Sequence, residues 1–531
     1  MGTYLNPGNN GFKVISGSKY IDKTGMIRII NDTIDTNHML TCVSRARRFG
    51  KSYAAQMLCA YYDKTCDSAD LFRGFEIAKD DSFEVYRNKY DVIYLDMTNI
   101  IEKVDPSGMI DFIKKSVSEE ILRSYPEVTE GGSFDETLIR CVEHTGSKFI
   151  MIIDEWDAPI RETPEIESDY LRFLRMLFKG SGTTAKIFSA AYMTGILPIK
   201  KDGSQSAISD FREYTMIKPG KFGEYVGFTE DEVKCLCKAE SVDFACMKRW
   251  YDGYRLKDGT SVYNPNSVIR AIENEDFDSY WTETSAADRL MAYISMDYEG
   301  LSKTIAEMVG GVEVPVETRG FANDLVTFRN KDDVLTLMIH LGYLAYDANT
   351  GCAYVPNEEV RLEFVRALQD VDHSETRKRL EESHKLFSDT INGDEEAVAA
   401  CIEKVHREET DPIHYNDEQA LRSVIKLAYY TYKDNYTKWE ELPAGDGYAD
   451  VVYLPKPGSK YPALVIELKW NKSAEGAIGQ ILDKKYPSGL EGMGCEIILV
   501  GINYDKESRK HECRIERLAH AYPRKARLTK K

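Results

Sequence analysis

The stretch from Met39 to Tyr61 leaves the chain the fewest choices. An apolar run (Met39 to Val43) leads into S-R-A-R-R-F-G-K-S (Ser44 to Ser52) and then into a run of helical character (Tyr53 to Tyr61). A strand that turns through Gly-Lys-Ser into a helix presents backbone N–H groups and one lysine to the phosphates of a nucleotide. In that role Gly50 lets the backbone approach the phosphate oxygens, Lys51 reaches the β and γ phosphates, and the Ser52 hydroxyl is a Mg²⁺ ligand. The general pattern has a glycine five residues before Gly50, where this chain has Arg45, with Arg47 and Arg48 close by. Gly-Lys-Ser alone arises often by chance, so the assignment leans on a second segment.

That segment is Lys148 to Glu155, K-F-I-M-I-I-D-E, an apolar strand ending in two carboxylates about a hundred residues on. In a nucleoside triphosphatase Asp154 would hold the magnesium shell and Glu155 would orient the attacking water. Four apolar β-type runs occur in this part of the chain: Met39 to Val43, Asp91 to Met97, Phe149 to Ile153 and Lys186 to Thr194. Segments of helical period separate them, among them Gly108 to Leu122 and Tyr170 to Phe178, which predicts an α/β domain around a parallel sheet. Such sheets bind ligands at the carboxyl ends of their strands, where Ser44 to Ser52 and Asp154 both fall. The run Asp91 to Met97, intervening between the loop and the Asp-Glu pair, suits the additional-strand branch of P-loop enzymes. Thr194, at the end of the next strand, is then a candidate sensor of the γ phosphate or a plain turn residue.

Arg45 to Ser52, R-A-R-R-F-G-K-S, resembles the loop R-P-R-R-F-G-K-S of the AAA-ATPase-like proteins, differing at Ala46. Further matches are D-K-T (Asp22 to Thr24), I-I-D-E-W-D-A-P (Ile152 to Pro159), M-T-G-I-L (Met193 to Leu197) and W-Y-D-G-Y-R (Trp250 to Arg255). The resemblance runs to about residue 270 and makes the missing glycine a family trait. It implies ATP binding by Arg48, Phe49, Gly50, Lys51, Ser52, Asp154 and Thr194, with Mg²⁺ on Ser52 and Asp154.

Composition narrows the rest. A chain of 531 residues, 43% hydrophobic, can bury more than one core. A net charge of −18 argues against coating nucleic acid by overall charge, though not against a local basic groove. The 11 cysteines are scattered without a C-x-x-C, as in a reduced cytosolic protein. With no apolar leader and no run of bilayer length, the expectation is a soluble, cytoplasmic protein with no membrane contact.

Three divisions are expected: a P-loop domain over 1–215, a helical middle region over 216–410, and a third domain over 411–531. In the middle region Asp333 to Leu341 reads as a helix. A hairpin signal follows, Tyr343 to Tyr346, the turn Asp347 to Gly351 and Cys352 to Val355, then a helix from Glu358 to Leu368. That order is a candidate winged helix. Glu358, Glu359 and Glu363 make the last helix acidic, which favours packing or a relay over nucleic-acid contact.

The second chemical site lies in Y-A-D-V-V-Y-L-P-K-P-G-S-K-Y-P-A-L-V-I-E-L-K-W, from Tyr448. Two β-type runs, Ala449 to Leu454 and Ala463 to Trp470, flank a Pro/Gly turn and predict a hairpin. Symmetric pairing puts Leu454 opposite Ala463 and Asp450 opposite Glu467, with Lys469 on the same face. Opposed carboxylates in apolar strands repel and are costly to desolvate, and a divalent cation removes both objections. Mg²⁺ prefers such oxygens, and Lys469 could stabilise developing charge or help orient water.

Asp450 followed by Glu467-x-Lys469 resembles the PD-(D/E)XK nuclease superfamily, restriction-endonuclease-like in fold. G-Y-A-D-V-V, A-L-V-I-E-L-K-W and S-A-E-G-A-I-G-Q-I are similar to the nuclease domain that accompanies AAA-ATPase-like proteins. Ala449 stands where a proline often precedes the aspartate. The resemblance, over roughly residues 411–510, implies a C-terminal α/β domain with metal on Asp450, Glu467 and Glu418, catalysis by Asp450, Glu467 and Lys469, and Gln480 in the following helix. The segment Lys506 to Lys531 holds ten Lys/Arg against three Glu and could follow a phosphate backbone or be a solvated tail.

The expectation is an ATPase, with Glu155 catalytic, joined to a Mg²⁺-dependent nuclease acting on nucleic acid, DNA ahead of RNA. The rivals are an ATP-dependent switch or DNA-binding protein with an inactive nuclease fold, and a nucleotide sensor whose output is assembly into a homo-oligomer.

Overall fold

The computed structural model describes residues 2–179, 182–199, 201–202, 205–206, 208, 210–281, 293–294, 298–322, 328–370, 374–409, 425, 428–429, 436–444, 447–455, 461–484 and 495–518. Glu418, placed by the resemblance among the metal ligands, and the tail beyond 518 lie outside the described residues. The chain divides into two compact units, Met1–Leu301 with Glu313–Phe364, and Ser302–Val312 with Val365–Lys531. Among the described residues no helix is long and apolar enough to cross a membrane.

The first unit is built on five strands: β1 (Leu40–Ser44), β2 (Asp91–Asp96), β3 (Phe149–Asp154), β4 (Phe188–Gly195) and β5 (Arg212–Tyr214). They lie in the order β2-β3-β4-β1-β5, and every neighbouring pair is parallel. The four long strands are near-continuous runs of apolar residues because helices cover both faces. One face buries Cys42, Ile93, Leu95, Met151, Ile153 and Met193 in a common core. Helix α1 (Lys51–Tyr62) follows β1, and the short helix α2 (Ala158–Glu162) follows β3. All four long strands fall where the apolar runs predict them. In space β4 lies between the loop-bearing β1 and the Asp-Glu strand β3, and Asp91–Asp96 forms the far edge, an arrangement with an additional strand between the two motif-bearing ones. A crossover sets neighbours by packing, so order along the chain did not give order in the sheet.

The region after residue 215 carries more β structure than its charged, helix-rich sequence suggests. Phe228–Thr229, Tyr254–Arg255 and Ser261–Tyr263 form one small antiparallel sheet, its strands too short to show a period. The predicted helix and hairpin are present as α3 (Lys331–Leu341), Ala345–Asp347 and Cys352–Tyr354, with a third strand, Val314–Pro315, on the hairpin. Helix α4 spans Glu358–Asp370, and its carboxylates do not form a solvated acidic face. Glu358, Glu359 and Glu363 are all buried. Glu359 accepts hydrogen bonds from Ser267 Oγ (2.9 Å) and Tyr280 N (2.8 Å), and Glu358 pairs with the buried Arg361. Charge counted along a sequence does not tell an outward carboxylate from one with donors inside.

The second unit holds a mixed sheet in chain order: β6 (Tyr436–Ala444), β7 (Gly447–Pro455), β8 (Ala463–Trp470), β9 (Ile497–Asp505) and β10 (Lys510–Leu518). Only β8 and β9 pair in parallel, joined across helix α5 (Ala474–Asp483). Alternate residues go to opposite faces. Val451, Tyr453, Leu464, Ile466 and Leu468 pack with Leu386, Phe387 and Ile402 of the preceding helices. Val452, Leu454, Val465 and Leu499 pack under Ile478 and Ile481 of α5. Beneath the first of these faces His406 Nδ1 and His511 Nε2 share one hydrogen bond of 2.9 Å, and both rings are buried.

Burial, with a smaller contribution from His406, pulls the His511 imidazole down to about 3. The unfolded chain takes up this proton below about pH 6.5 while the folded one resists it, so stability is lost as pH falls from about 6.5 toward 3. One such group gives a slope of at most about 1.4 kcal/mol per pH unit. Denaturant midpoints of the second unit measured from pH 7 to 5 are expected to fall less steeply in His511→Gln than in the wild type. Parallel slopes would contradict the assignment.

Two candidate sites at strand ends

The loop between β1 and α1 is held by its arginines. Arg45 N donates to Gly195 O (2.9 Å). The Arg45 guanidinium is buried, donates to Gly223 O (3.0 Å) and Val226 O (3.3 Å), and lies over the Phe49 ring. Burial lowers its guanidinium to about 10. Ala46 is fully buried, and a Cβ on Gly342, at the end of α3, would come 2.6 Å from its methyl. Arg47 O accepts from Asn264 Nδ2 (3.4 Å), and Arg48 Nη1 donates to Tyr280 O (2.5 Å). Phe49 is buried edge-on to Tyr254. The side chains of Arg48 and Phe49, expected at the nucleotide, are thus engaged in packing, and the loop offers a ligand their backbone. Arg48 and Gly50 have φ of 67° and 88°, and the space a Cβ on Gly50 would enter is empty, which leaves the loop open on that side.

Lys51, Ser52, Asp154, Glu155 and Thr194 meet at the carboxyl ends of β1, β3 and β4. Lys51 Nζ donates to Ala46 O (3.1 Å) and lies 3.4 Å from Glu155 Oε1. The Ser52 hydroxyl lies close enough to the Asp154 carboxylate to favour its charged form. Register pairs Ile153 with Met193 and brings Asp154 beside Thr194. Asp154 Oδ1 and Thr194 Oγ1 are both buried and without a hydrogen-bond partner among the described residues. Two such atoms on neighbouring strand ends could share one water or ion between them. Burial raises the Asp154 carboxyl to about 7, with Glu155 and Asp96 adding to it, while Ser52 and Lys51 act against the rise. Burial pushes Glu155 up as well, but Lys51 and Arg161 outweigh it and hold the carboxyl below its usual range. The donor set of Ser52 hydroxyl and Asp154 carboxylate is one a hard, oxygen-seeking cation takes.

In the second unit the pairs Val451–Ile466, Val452–Val465 and Tyr453–Leu464 fix the register of β7 on β8. The same register, continued, sets Asp450 opposite Glu467. Asp450 Oδ2 accepts from Leu468 N (2.9 Å). Glu467 Oε1 takes Lys469 Nζ (3.0 Å) and Gln480 Nε2. Its Oε2 is buried without a hydrogen-bond partner among the described residues. Burial first, and Asp450 next, raise the Glu467 carboxyl, and Lys469 pulls it back. Gln480 reaches Glu467 because α5 lies close on the sheet. Gly501, the β9 partner of Glu467, could not carry a Cβ, which would come 2.3 Å from Ala474 O. Ser473 caps α5 through Gly476 N (3.0 Å). Among the described residues no three His, Cys, Asp or Glu side chains form a metal-holding group, so this pair suits a cation completed by water, a ligand or residues not described. Glu418 is one such residue.

Sequence reasoning missed Arg161, which donates from Nη2 to Glu155 Oε2 (2.9 Å) and from Nε to Asp157 Oδ2 (2.9 Å). The available signals were its i,i+4 spacing from Asp157 and its spacing of six from Glu155.

Residues 9–204 match the family model of a predicted AAA-ATPase, and residues 416–513 match that of the PD-(D/E)XK nuclease superfamily. An uncharacterized protein of the vnfD 5′ region of Azotobacter chroococcum mcd 1 is 24% identical over 273 residues. That match covers 50% of this chain and 50% of the relative, so the chain spans about half of the relative's length. Among solved structures, a signal-transduction STAND ATPase with a tetratricopeptide-repeat sensor from Pyrococcus horikoshii aligns at TM-score 0.26 and 12% identity, over 77% of this chain and 50% of that one. The Aeropyrum pernix ORC2 protein aligns at TM-score 0.25 and 10% identity, over 66% of this chain and 97% of its own. Likenesses this loose carry no functional argument.

Arg45→Gly, which restores the general loop pattern, is expected to destabilise the first unit by about 2 kcal/mol, because two buried carbonyls lose their donor. A denaturant midpoint equal to that of the wild type would contradict this role of Arg45.

Proposed function

We propose that this chain, which joins an AAA-ATPase-like domain to a PD-(D/E)XK nuclease superfamily domain, is a nucleotide-regulated, Mg²⁺-dependent nuclease that cuts DNA. The observation that carries the reading is Glu467 Oε2: a buried carboxylate oxygen without a hydrogen-bond partner among the described residues, opposite Asp450 and with Lys469 on the same face. A fold needing only stability would place apolar side chains there. Asp450 and Glu467, with Glu418 as a third carboxylate, would hold the metal, and Gln480 would keep Glu467 in place. Lys469 would offset the negative charge that builds on the phosphodiester as water attacks. Bound Mg²⁺ supplies Lewis acidity and lowers the pKa of water.

At the first site Gly50, Lys51 and Ser52 would receive the phosphates of ATP, Asp154 would share Mg²⁺ with Ser52, Glu155 would orient the attacking water and Thr194 would meet the γ phosphate. Coupling is supported by Arg48, which ties the loop to Tyr280 O while Tyr280 N donates to the buried Glu359. A displacement of the loop is therefore felt well outside the nucleotide site. Three functional parts, 1–215, 216–410 and 411–531, would share this work, with the middle one as relay, in a cytoplasmic protein able to form homo-oligomers.

The test is cleavage of plasmid, linear and single-stranded DNA by the full chain in Mg²⁺ or Mn²⁺. Wild type is expected to cut in a metal-dependent way, and Lys469→Ala is expected to be at least about 100-fold slower, as for loss of a charge-stabilising group. Absence of cutting on every DNA, with and without ATP, would contradict the nuclease reading.

A further inference from the structure

Glu155 occupies a backbone position with φ of 52°, in the left-handed region that a glutamate seldom adopts. Two backbone hydrogen bonds hold the turn there, Trp156 N to Thr194 O (2.8 Å) and Ala158 N to Glu155 O (2.9 Å). They fix the main chain but leave the glutamate side chain free to turn. What fixes the carboxylate comes from α2. Asp157, with a fully buried side chain, takes the Leu197 N–H on Oδ2 (2.9 Å) and the Ile196 N–H at 3.2 Å. It is therefore pinned to the backbone just beyond the end of β4. Asp157 in turn accepts from Arg161 Nε (2.9 Å), and Arg161 Nη2 donates to Glu155 Oε2 (2.9 Å). The Arg161 side chain is 3% exposed. A rigid line runs from the β4 terminus, where Thr194 stands, through Asp157 and Arg161 to one oxygen of Glu155.

The other oxygen, Oε1, lies 3.4 Å from Lys51 Nζ. Lys51 is the cation that bound phosphates would claim. A half-buried carboxylate that loses one of two cations moves toward whatever donor is left unless the second is fixed. Arg161 is fixed, because its planar fork engages two carboxylates along one edge, which a lysine ammonium on a flexible stem cannot reproduce.

We infer that Arg161 is a positioning residue for ATP hydrolysis, holding the Glu155 carboxylate in register with the β4 terminus when Lys51 is given over to phosphate. The inference rests on the reading of Glu155 as the residue that orients water.

The test uses the full chain and measures MgATP turnover and, separately, equilibrium binding of a fluorescent ATP analogue. Arg161→Gln is expected to lower kcat about 10- to 100-fold, the range for misplacing a group that directs proton transfer, with nucleotide affinity within about 3-fold of wild type. Arg161→Lys keeps the charge without the fork and is expected to fall between the two. In a Glu155→Gln background, Arg161→Gln is expected to lower kcat by no more than about a further twofold, since groups acting as a unit are not additive. Loss of the same factor in that background, a raised kcat, or a fall in affinity with kcat unchanged would overturn the inference. Thermal melts identify a variant that fails to fold; if Arg161→Gln does, the same kcat-against-affinity split in Arg161→Lys decides. A wild type that binds but never turns over ATP refutes the Glu155 reading itself and the inference with it. Turnover in the wild type that both Arg161 variants retain in full overturns only the role of Arg161.

Discussion

The first unit depends on a buried guanidinium. Where other phosphate loops begin with a glycine, this one begins with Arg45, whose donors close the carbonyls of Gly223 and Val226. A glycine gives such a loop its shape through backbone freedom. Here the shape comes from side chains reaching outward, with Arg45, Phe49 and Arg48 each anchored in residues after 215. A loop anchored this way is tied to residues from a large part of the unit.

The two sites solve one electrostatic problem in the same way. Each places a carboxylate on a buried strand, leaves one of its oxygens without a hydrogen-bond partner among the described residues, and sets a lysine nearby. Desolvation raises both Asp154 and Glu467. Such oxygens are costly without a partner, and a divalent cation is the partner that fits two or more of them at once. The lysines differ in their surroundings. Lys51 is held by a loop carbonyl as well as by Glu155, whereas Lys469 pairs with Glu467 on its own strand.

Much of this was legible in the sequence, and the exceptions have physical causes. The four long strands, the helix Lys331–Leu341 with its hairpin, and the register of β7 on β8 follow from period and turn residues, which are local. The position of β4 between β1 and β3 is not local, and no period encodes it. Glu359 and Glu363 of α4 look solvent-facing in sequence because their donors, Ser267, Ser279 and Tyr280 N, come from about 80 to 90 residues away. Arg161 is the same case: nothing in D-A-P-I-R-E says that the arginine turns back to Glu155. Strand β6, Tyr436–Ala444, was missed because Lys438, Glu440 and Glu441 break its apolar alternation.

The central claim is that nucleotide at the Lys51 site governs cutting at the Asp450–Glu467 site. The most direct measurement is the single-turnover cleavage rate of labelled DNA at fixed Mg²⁺ as ATP is raised, in wild type and in Lys51→Ala. The account predicts a rate that moves several-fold and saturates with ATP in wild type, and a rate indifferent to ATP in Lys51→Ala. Wild-type cleavage that ignores ATP, or an ATP response that survives in Lys51→Ala, would contradict it.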